Sequence, residues 1–305
     1  MKYLITGSTG FIGKALLELL LSKGQAVACL VRADSNIKKI ERNSNLKLFE
    51  YSNLLDDNLI SEITKWQPEV FYHIGWKGVI GKERNEIFQF VDNINLTLQS
   101  VQLAAKVGCK KWIGAGSQAE YGVCNEMVID EGMSCKPNTA YGKAKLASSI
   151  VALGMCELLN IQGVWGRIFS TYGPDDYDGY FIPYVINSLK VKSPLELTKC
   201  EQVWDYLYVT DAAEAFLALA EFDCYGIYNI GRGESVILKN VVEEIKLILN
   251  NDAEIGYGKI PYSSNQVMKL NPSVSKLKTD TNWEPKVSLH EGLVNTINFF
   301  LKMEV

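Results

Sequence analysis

A glycine-rich turn close to the N-terminus constrains the fold of this chain more than any other feature. Gly7, Gly10 and Gly13 follow a short apolar strand at residues 3 to 5 and open an amphipathic helix. In such a turn the first glycine permits the tight bend, the second lets the backbone approach a pyrophosphate, and the third lets the helix pack on the strand. Free N–H groups at the helix N-terminus would face the anion. This context favours a dinucleotide site over a glycine-rich loop that binds nothing.

Strands and helices alternate through the first half of the sequence. Apolar runs at 26 to 32, 46 to 51, 70 to 75 and 111 to 117 are typical of buried parallel strands. Helical patterns lie at 57 to 66, 86 to 107 and 141 to 159. The alternation predicts an α/β fold with a doubly wound parallel sheet of the Rossmann type, whose ligands bind at the carboxyl ends of its strands.

Composition narrows the expected partners. The chain has 305 residues, 31 basic and 35 acidic side chains, and a formal net charge of −4 without a basic block, so we expect no nucleic acid partner. No apolar run reaches the roughly 18 to 20 residues of a membrane-spanning helix, and the sequence begins in a strand rather than a signal peptide. Seven cysteines without a C-x-x-C pair and two histidines indicate reduced thiols and no metal. We expect a cytoplasmic protein with a small-molecule substrate and no membrane partner.

The end of the second predicted strand bears on the choice between NADP and NAD. An acidic residue there usually binds the ribose 2′-hydroxyl of NAD, whereas an arginine accommodates the 2′-phosphate of NADP. The sequence reads Val31-Arg32-Ala33-Asp34. Arg32 favours NADP, although it is also compatible with an ordinary exposed arginine, and Asp34 could turn back towards the ribose. We expect NADP and keep NAD as the alternative.

A second chemical pattern opens the predicted helix at 141 to 159. Tyr141 and Lys145 are one helical turn apart, which places the phenol and the ammonium on one face. A phenol has a pKa of about 10, and a neighbouring cation stabilises its phenolate. The hydroxyl of Ser117, at the end of the preceding strand, would hold a substrate oxygen in line. Because Tyr-x-x-x-Lys occurs by chance in many helices, it indicates catalysis only together with the other motifs.

Four segments of the sequence form a set. They are Thr6-Gly7-Ser8-Thr9-Gly10-Phe11-Ile12-Gly13, Gly116-Ser117-Gln118-Ala119-Glu120-Tyr121-Gly122, Tyr141-x-x-x-Lys145 and Tyr172-Gly173-Pro174. Together they resemble the extended short-chain dehydrogenase/reductase family, in particular its nucleotide-sugar epimerases, dehydratases and reductases. The resemblance covers nearly the whole chain.

The resemblance implies roles for the catalytic and cofactor residues. Tyr141 is the general acid or base, Lys145 binds the nicotinamide ribose and lowers the tyrosine pKa, and Ser117 orients the reacting oxygen. His73 is implied to be a core histidine. The implied cofactor-binding residues are Gly7, Thr9, Gly10, Phe11, Ile12, Gly13, Arg32, Asn53, Leu54, Ile74, Gly75, Asn93, Tyr141 and Lys145. Asn53 replaces the aspartate of the family, but its amide oxygen can still accept a hydrogen bond.

The resemblance also implies a substrate site. Its expected residues are Trp76, Ser117, Gln118, Ser170 and Asp205. Trp204 stands before Asp205 where relatives commonly have arginine, and Ser170 stands where they often have asparagine, so the nucleotide base stays open. Trp76 is alternatively a buried core residue.

The resemblance also implies domain boundaries and an oligomeric state. Residues 1–172 are expected to form the Rossmann domain, with about 203–235 returning to it. Residues 173–305 are expected to form mainly a smaller C-terminal α/β substrate domain. Relatives usually dimerise through the helices at 86 to 107 and 141 to 159, so we expect a homodimer.

The favoured function is NADP(H)-dependent reduction of the 4-keto group of a nucleoside-diphosphate-linked hexose or deoxyhexose, with Tyr141 as general acid. Arg32 and the modest C-terminal part favour it, whereas Gln118-Ala119 stand where dehydratases usually have Asp-Glu. One alternative is a nucleotide-sugar 4-epimerase with tightly bound NAD. An alternative from another class is a non-catalytic dinucleotide-sensing protein.

Overall fold

Strands and helices alternate along the chain in the computed structural model, which describes residues 1–124, 127–191, 194–263 and 266–302. The strands are β1 (Lys2–Thr6), β2 (Ala26–Val31), β3 (Leu46–Glu50), β4 (Val70–His73), β5 (Lys111–Ser117), β6 (Gln162–Ile168), β7 (Ser170–Tyr172), β8 (Leu195–Leu197), β9 (Val203–Tyr208), β10 (Gly226–Ile230), β11 (Ser235–Ile237), β12 (Ile255–Tyr257) and β13 (Lys269–Leu270). The α-helices are α1 (Phe11–Ser22), α2 (Asp57–Trp66), α3 (Ile94–Lys106), α4 (Ala140–Leu158), α5 (Phe181–Lys190), α6 (Val209–Glu221), α7 (Leu238–Ile248), α8 (Ser275–Thr281) and α9 (Leu289–Lys302).

A seven-stranded sheet with the order β10-β6-β5-β4-β1-β2-β3 forms the main scaffold. All of its neighbouring strands are parallel. The chain builds outwards from β1 in one direction and then crosses to β4 to build in the other. The reversal between β1 and β4 creates a crevice at the carboxyl ends of the strands, where ligands of such sheets bind. The predicted doubly wound α/β fold is therefore confirmed.

Helices cover both faces of this sheet because its strands are apolar on both sides. Along β1, Tyr3 and Ile5 belong to the core on the side of α1 and α6, whereas Leu4 belongs to the core on the opposite side. That opposite core includes Trp112 and Trp165, whose rings stack with their centroids 6.1 Å apart. The sheet therefore places the strand ends on a scaffold that is packed from both faces.

The later part of the chain builds a second, smaller unit. β9 pairs with β7, β11 and β13, and β12 pairs with β8. Helices α5, α7 and α9 pack on this unit around a separate apolar core. Within residues 203–235, expected to return to the Rossmann domain, β10 joins the main sheet and α6 packs on it, whereas β9 and β11 pair in the smaller sheet. β9 serves both units, because Leu207 is buried in the first core and Tyr206 and Tyr208 in the second.

The helix predicted from 86 to 107 begins with a π-helical segment and is preceded by a 3₁₀-helix. Residues Gly81–Asn85 form a 3₁₀-helix and Gln89–Asn93 form a π-helix, which continues directly into α3. The widened turn brings the side chains of Gln89 and Asn93 to the loop that follows β4. A π-turn inside a helix is often found at a functional site.

None of the helices in the described part of the chain is both long and apolar enough to span a membrane.

Candidate active site

The glycine turn joins the ends of β1 and β4. Gly7 has a φ of +79°, and a Cβ atom at this position would lie 2.5 Å from the backbone nitrogen of Gly75. A Cβ atom at Gly13 would collide with the carbonyl oxygen of Gly7. Glycine is therefore required at both positions, by conformation at Gly7 and by close packing at both.

The N-terminus of α1 opens directly from this turn. Gly10 is its exposed N-cap residue, which offers no side-chain cap, and the first turn contains no acidic residue. Thr9, Phe11 and Ile12 are half-buried around it. The unoccupied N–H groups and the positive end of the helix dipole fit a dinucleotide pyrophosphate.

At the end of β2, Arg32 and Asp34 contact each other. Arg32 Nε lies 3.1 Å from Asp34 Oδ1, and both side chains are exposed. Next to them, after β3, the Asn53 side chain accepts a hydrogen bond from the N–H of Leu55, and Leu54 is fully buried. A cation and a carboxylate are thus both available at the strand end that would face the adenosine ribose.

His73, at the end of β4, is a buried structural residue. The Thr97 hydroxyl donates to the Asn93 carbonyl and so accepts from His73 Nε2, while Nδ1 of the ring faces Thr6 Oγ1 at 3.0 Å. Burial lowers the pKa of His73 to about 3. The imidazole is neutral, as expected for a core histidine. Ile74 and Gly75 continue this strand end and are half-buried.

Asn93, an expected cofactor contact, holds the loop after β4 in this structure. Its Oδ1 accepts from the N–H of Lys77, and its Nδ2 donates to the carbonyl of Lys77 and to Gln89 Oε1. Asn93 is buried, so its amide is committed to the loop after β4.

Ser117, Tyr141 and Lys145 converge at the end of β5. The Thr139 side chain caps α4, and Gly142 lets the helix approach the carbonyl oxygen of Ala119 closely. This close approach sets Tyr141 beside Ser117, which hydrogen-bonds to the phenol.

The Lys145 ammonium points back into the sheet. It donates to the carbonyl of Ala115 at 2.6 Å and lies 3.7 Å from the centroid of the Trp76 ring. The half-buried Trp76 also contacts Tyr141 edge to face, with ring centroids 6.0 Å apart. The Trp76 ring therefore contacts both Tyr141 and Lys145 and forms one side of the catalytic cluster.

The charges around Tyr141 include one that the sequence motifs did not indicate. Burial raises the pKa of the Tyr141 phenol, and the hydrogen bond from Ser117 and the positive charge of Arg84 oppose that rise. The Arg84 guanidinium carbon lies 4.3 Å from the centroid of the Tyr141 ring. Arg84 is thus a cation beside the phenol that the motifs did not indicate, and the acidifying role implied for Lys145 stays a prediction.

Glu120 is a second residue that the motifs missed. Its fully buried carboxylate accepts from the N–H of Ser117, from Trp165 Nε1 and from Arg167 Nε. Burial lowers the pKa of Lys145, and the charge of Glu120 opposes that effect. The serine at the strand end with a glutamate three residues later is a capping-box pattern, which is the sequence signal that could have found Glu120.

The remaining substrate candidates have different surroundings, and Gln118 directly follows Ser117. Gln118 and Ser170 are half-buried at the start of the turn after β5 and of β7. Asp205 is fully buried, and its carboxylate accepts from the N–H groups of Arg232, Gly233 and Glu234. Three backbone donors thus occupy a carboxylate that has no exposed surface, and substrate binding by Asp205 stays a prediction.

Within the ranges that the structure describes, no group of three or more His, Cys, Asp or Glu side chains could hold a metal ion.

The switch-point crevice, the uncapped helix N-terminus and the Ser117, Tyr141 and Lys145 cluster define a Rossmann-type enzyme that binds a nicotinamide dinucleotide. Residues 3–231 match the NAD dependent epimerase/dehydratase family, and the chain belongs to that family. The resemblance to the extended short-chain dehydrogenase/reductases and the prediction of an NAD(P)-dependent enzyme are thereby confirmed.

Individual relatives differ in the reaction that they catalyse. The chain is 24% identical to dTDP-4-dehydro-6-deoxyglucose reductase of Escherichia coli, over 95% of this chain and 94% of the relative. It is 28% identical to UDP-N-acetyl-alpha-D-glucosaminuronate decarboxylase of Bacillus cytotoxicus, over 99% and 98%. The UDP-N-acetylglucosamine 4-epimerase of Methanobrevibacter ruminantium, solved with UDP-N-acetylmuramic acid, shares the fold with a TM-score of 0.89 at 21% identity, over 99% and 98% of the two chains.

Proposed function

We propose that this chain reduces the 4-keto group of a deoxyhexose linked to a nucleoside diphosphate, with NADPH as cofactor. The convergence of Ser117, Tyr141 and Lys145 at one strand end, beside the glycine turn, is the observation that supports it. The reductase relative, similar over almost its full length, is named for a 4-dehydro sugar carried by dTDP.

Each residue of the cluster has a task in this proposal. The Ser117 hydroxyl donates a hydrogen bond to the carbonyl oxygen of the sugar, and Tyr141 gives its proton to that oxygen as negative charge develops there. Proton donation by a positioned acid typically accelerates a reaction by about 10² to 10⁴. Lys145, anchored on the Ala115 carbonyl, holds the nicotinamide ribose. The bound cofactor supplies the hydride.

Cofactor preference tests the first part of the proposal. NADPH should bind more tightly than NADH, because Arg32 is exposed and can exchange its contact with Asp34 for a charge-assisted contact with the 2′-phosphate. Arg32→Ala should remove the preference, whereas Asp34→Ala should leave it intact. Titration of both cofactors into the three proteins measures this. A loss of NADH affinity in Asp34→Ala would instead assign the ribose to the carboxylate.

The second candidate is a nucleotide-sugar 4-epimerase that retains NAD. The carboxylate of Asp34 at the end of β2 and the fold shared with a 4-epimerase favour it. Purified protein separates the two functions. Nucleotide released on denaturation and turnover without added cofactor support the epimerase. Consumption of NADPH in step with reduction of a 4-keto sugar supports the reductase.

The nucleotide carrier needs its own measurement. A thermal-shift panel of dTDP, CDP, GDP and UDP compares them directly, because a ligand at a hundred times its Kd adds about 2.7 kcal/mol to the free energy of unfolding. The base with the largest shift identifies the carrier to be used in the activity assays.

A further inference from the structure

We propose that Arg84 is a positioning residue that acts through Tyr141, holding the ring and stabilising its phenolate with a permanent positive charge. The proposal rests on the proposed role of Tyr141 as proton donor. The guanidinium carbon of Arg84 lies 4.3 Å from the centroid of the Tyr141 ring. Cations in this position over an aromatic face are attracted to it, and more strongly when the pair is shielded from water.

The loop that carries Arg84 is fixed on both sides of that residue. Arg84 Nη1 donates to the carbonyl of Val79 at 3.1 Å. The buried amide of Gln89 donates to the carbonyls of Gly78 and Glu83, at 2.6 and 3.0 Å. The π-helix therefore holds the backbone immediately before Arg84, which restricts where its side chain can reach.

The residue after Arg84 ties this loop to the catalytic helix. Asn85 Oδ1 accepts a hydrogen bond from the N–H of Ala140, the first residue of α4. Because Tyr141 is the next residue, the loop and the phenol are fixed relative to each other. The contact between Arg84 and Tyr141 is thus built into the architecture of the site.

Other groups face Tyr141 from each neighbouring element. From the end of β5 and its turn, Ser117 hydrogen-bonds to the phenol and Glu120 contributes a negative charge. From its own helix, Lys145 Nζ lies 5.9 Å from the ring centroid. From the segment before α5, the phenol of Tyr180 lies close enough for the two ionisations to influence each other.

The positive charge of Arg84, close to the ring face of Tyr141, lowers the pKa of the phenol. Burial lowers the pKa of the Lys145 ammonium, so its charge weakens as the pH rises. A guanidinium keeps its charge at every working pH. Donation of the phenolic proton leaves a phenolate, and Arg84 is placed to stabilise it whatever the state of Lys145.

The experiment compares Arg84→Met, Arg84→Lys and Lys82→Met with the wild-type protein. Lys82 is a cation of the same 3₁₀-helix and serves as the matched control. The chain has 15 tyrosines, so the ionisation of Tyr141 is measured as the difference in tyrosinate absorbance between each protein and the same protein carrying Tyr141→Phe. The pH profile of kcat/KM is recorded in parallel.

Arg84→Met should move the ionisation midpoint of Tyr141 to higher pH. It should also lower kcat/KM at neutral pH by about tenfold, which is the free-energy equivalent of raising the pKa of the phenol by about one unit. Arg84→Lys should restore most of the midpoint, and Lys82→Met should not move it. An unmoved midpoint in Arg84→Met, with or without a rise in KM, would overturn the proposal. The absorbance titration needs no substrate, so it stands even if Tyr141→Phe retains turnover and the proposed function fails.

Discussion

Tyr141 and Lys145 lie one helical turn apart on α4, but burial acts on their ionisation in opposite directions. It raises the pKa of the phenol and lowers the pKa of the ammonium, so both groups are pushed towards their neutral forms. Two charged residues at the edges of the pair oppose this, Arg84 beside the tyrosine and Glu120 beside the lysine. The acid–base behaviour of the site therefore depends on Ser117, Arg84 and Glu120 as well as on the two residues of the motif.

Removal of the phenolic hydroxyl tests the assignment of the acid. Tyr141→Phe should lower kcat by roughly 10² to 10⁴, because it removes only the proton donor. Cofactor affinity should stay close to the wild-type value, since Lys145 remains anchored on Ala115. Steady-state kinetics and cofactor titration measure the two effects separately.

Tyr184→Phe is the matched control, since Tyr184 is 42% exposed on α5. It should leave both quantities unchanged. Near-wild-type turnover in Tyr141→Phe would end the assignment of α4 as the catalytic helix.

Sequence motifs identified the site residues that lie in short local patterns. They missed the residues that only the folded chain places beside the catalytic cluster. Ser117, Tyr141 and Lys145 stand in short patterns with a chemical rationale. Arg84 lies in a polar loop without periodicity, and nothing in its neighbourhood indicates that the loop folds back on Tyr141. Asp205 shows the converse, because its segment resembles a substrate-binding one while its carboxylate binds backbone N–H groups.

At the scale of elements, hydrophobic patterns predicted β1 to β5 of the main sheet to within about two residues at each end, whereas β6 was not predicted. The π-helix at Gln89–Asn93 could not be predicted this way, because its apolar periodicity matches that of an α-helix. Its side-chain amides reach the carbonyls of Gly78 and Lys77, which are 11 and 16 residues away in the sequence. Likewise, the pairing of β9 depends on partners from separate parts of the chain, β7 before it and β11 and β13 after it.

The π-helix yields a prediction for stability and substrate binding. Gln89→Leu leaves the carbonyls of Gly78 and Glu83 without their donor, and a buried group without its hydrogen bond costs about 1 to 3 kcal/mol. Denaturant unfolding should show a loss of that size, and KM for the sugar should rise because the loop before Arg84 is loosened.

Asn58→Leu, at an exposed position of α2, controls for the change of a polar helix residue to leucine. It should alter stability by less than about 0.5 kcal/mol. An unchanged free energy of unfolding in Gln89→Leu would show that the amide bonds do not hold the loop.

At the scale of the whole molecule, α4 leaves an apolar stripe uncovered. Ile150 is 65% exposed, Val151 is 39% exposed and Leu158 is 83% exposed, and they lie on the side of α4 that faces away from the sheet. Exposed apolar groups arranged along one helix face typically mark an interaction surface. A two-fold interface is self-complementary, so the same stripe can pack against its copy, and we propose that the chain forms a homodimer through it.

Assembly is measured by light scattering across a range of protein concentrations. The wild-type protein should have the mass of a dimer at micromolar concentration, and Ile150→Glu should convert it to a monomer, because two carboxylates would be buried against each other without partners. Leu247→Glu introduces the same charge at a comparably exposed apolar residue of α7, which is 74% exposed, and should leave the dimer intact. Since the stripe lies on the helix that carries Tyr141, the monomeric variant should also show whether turnover depends on assembly. A monomeric wild-type protein, or dissociation by both substitutions, would contradict an interface centred on α4.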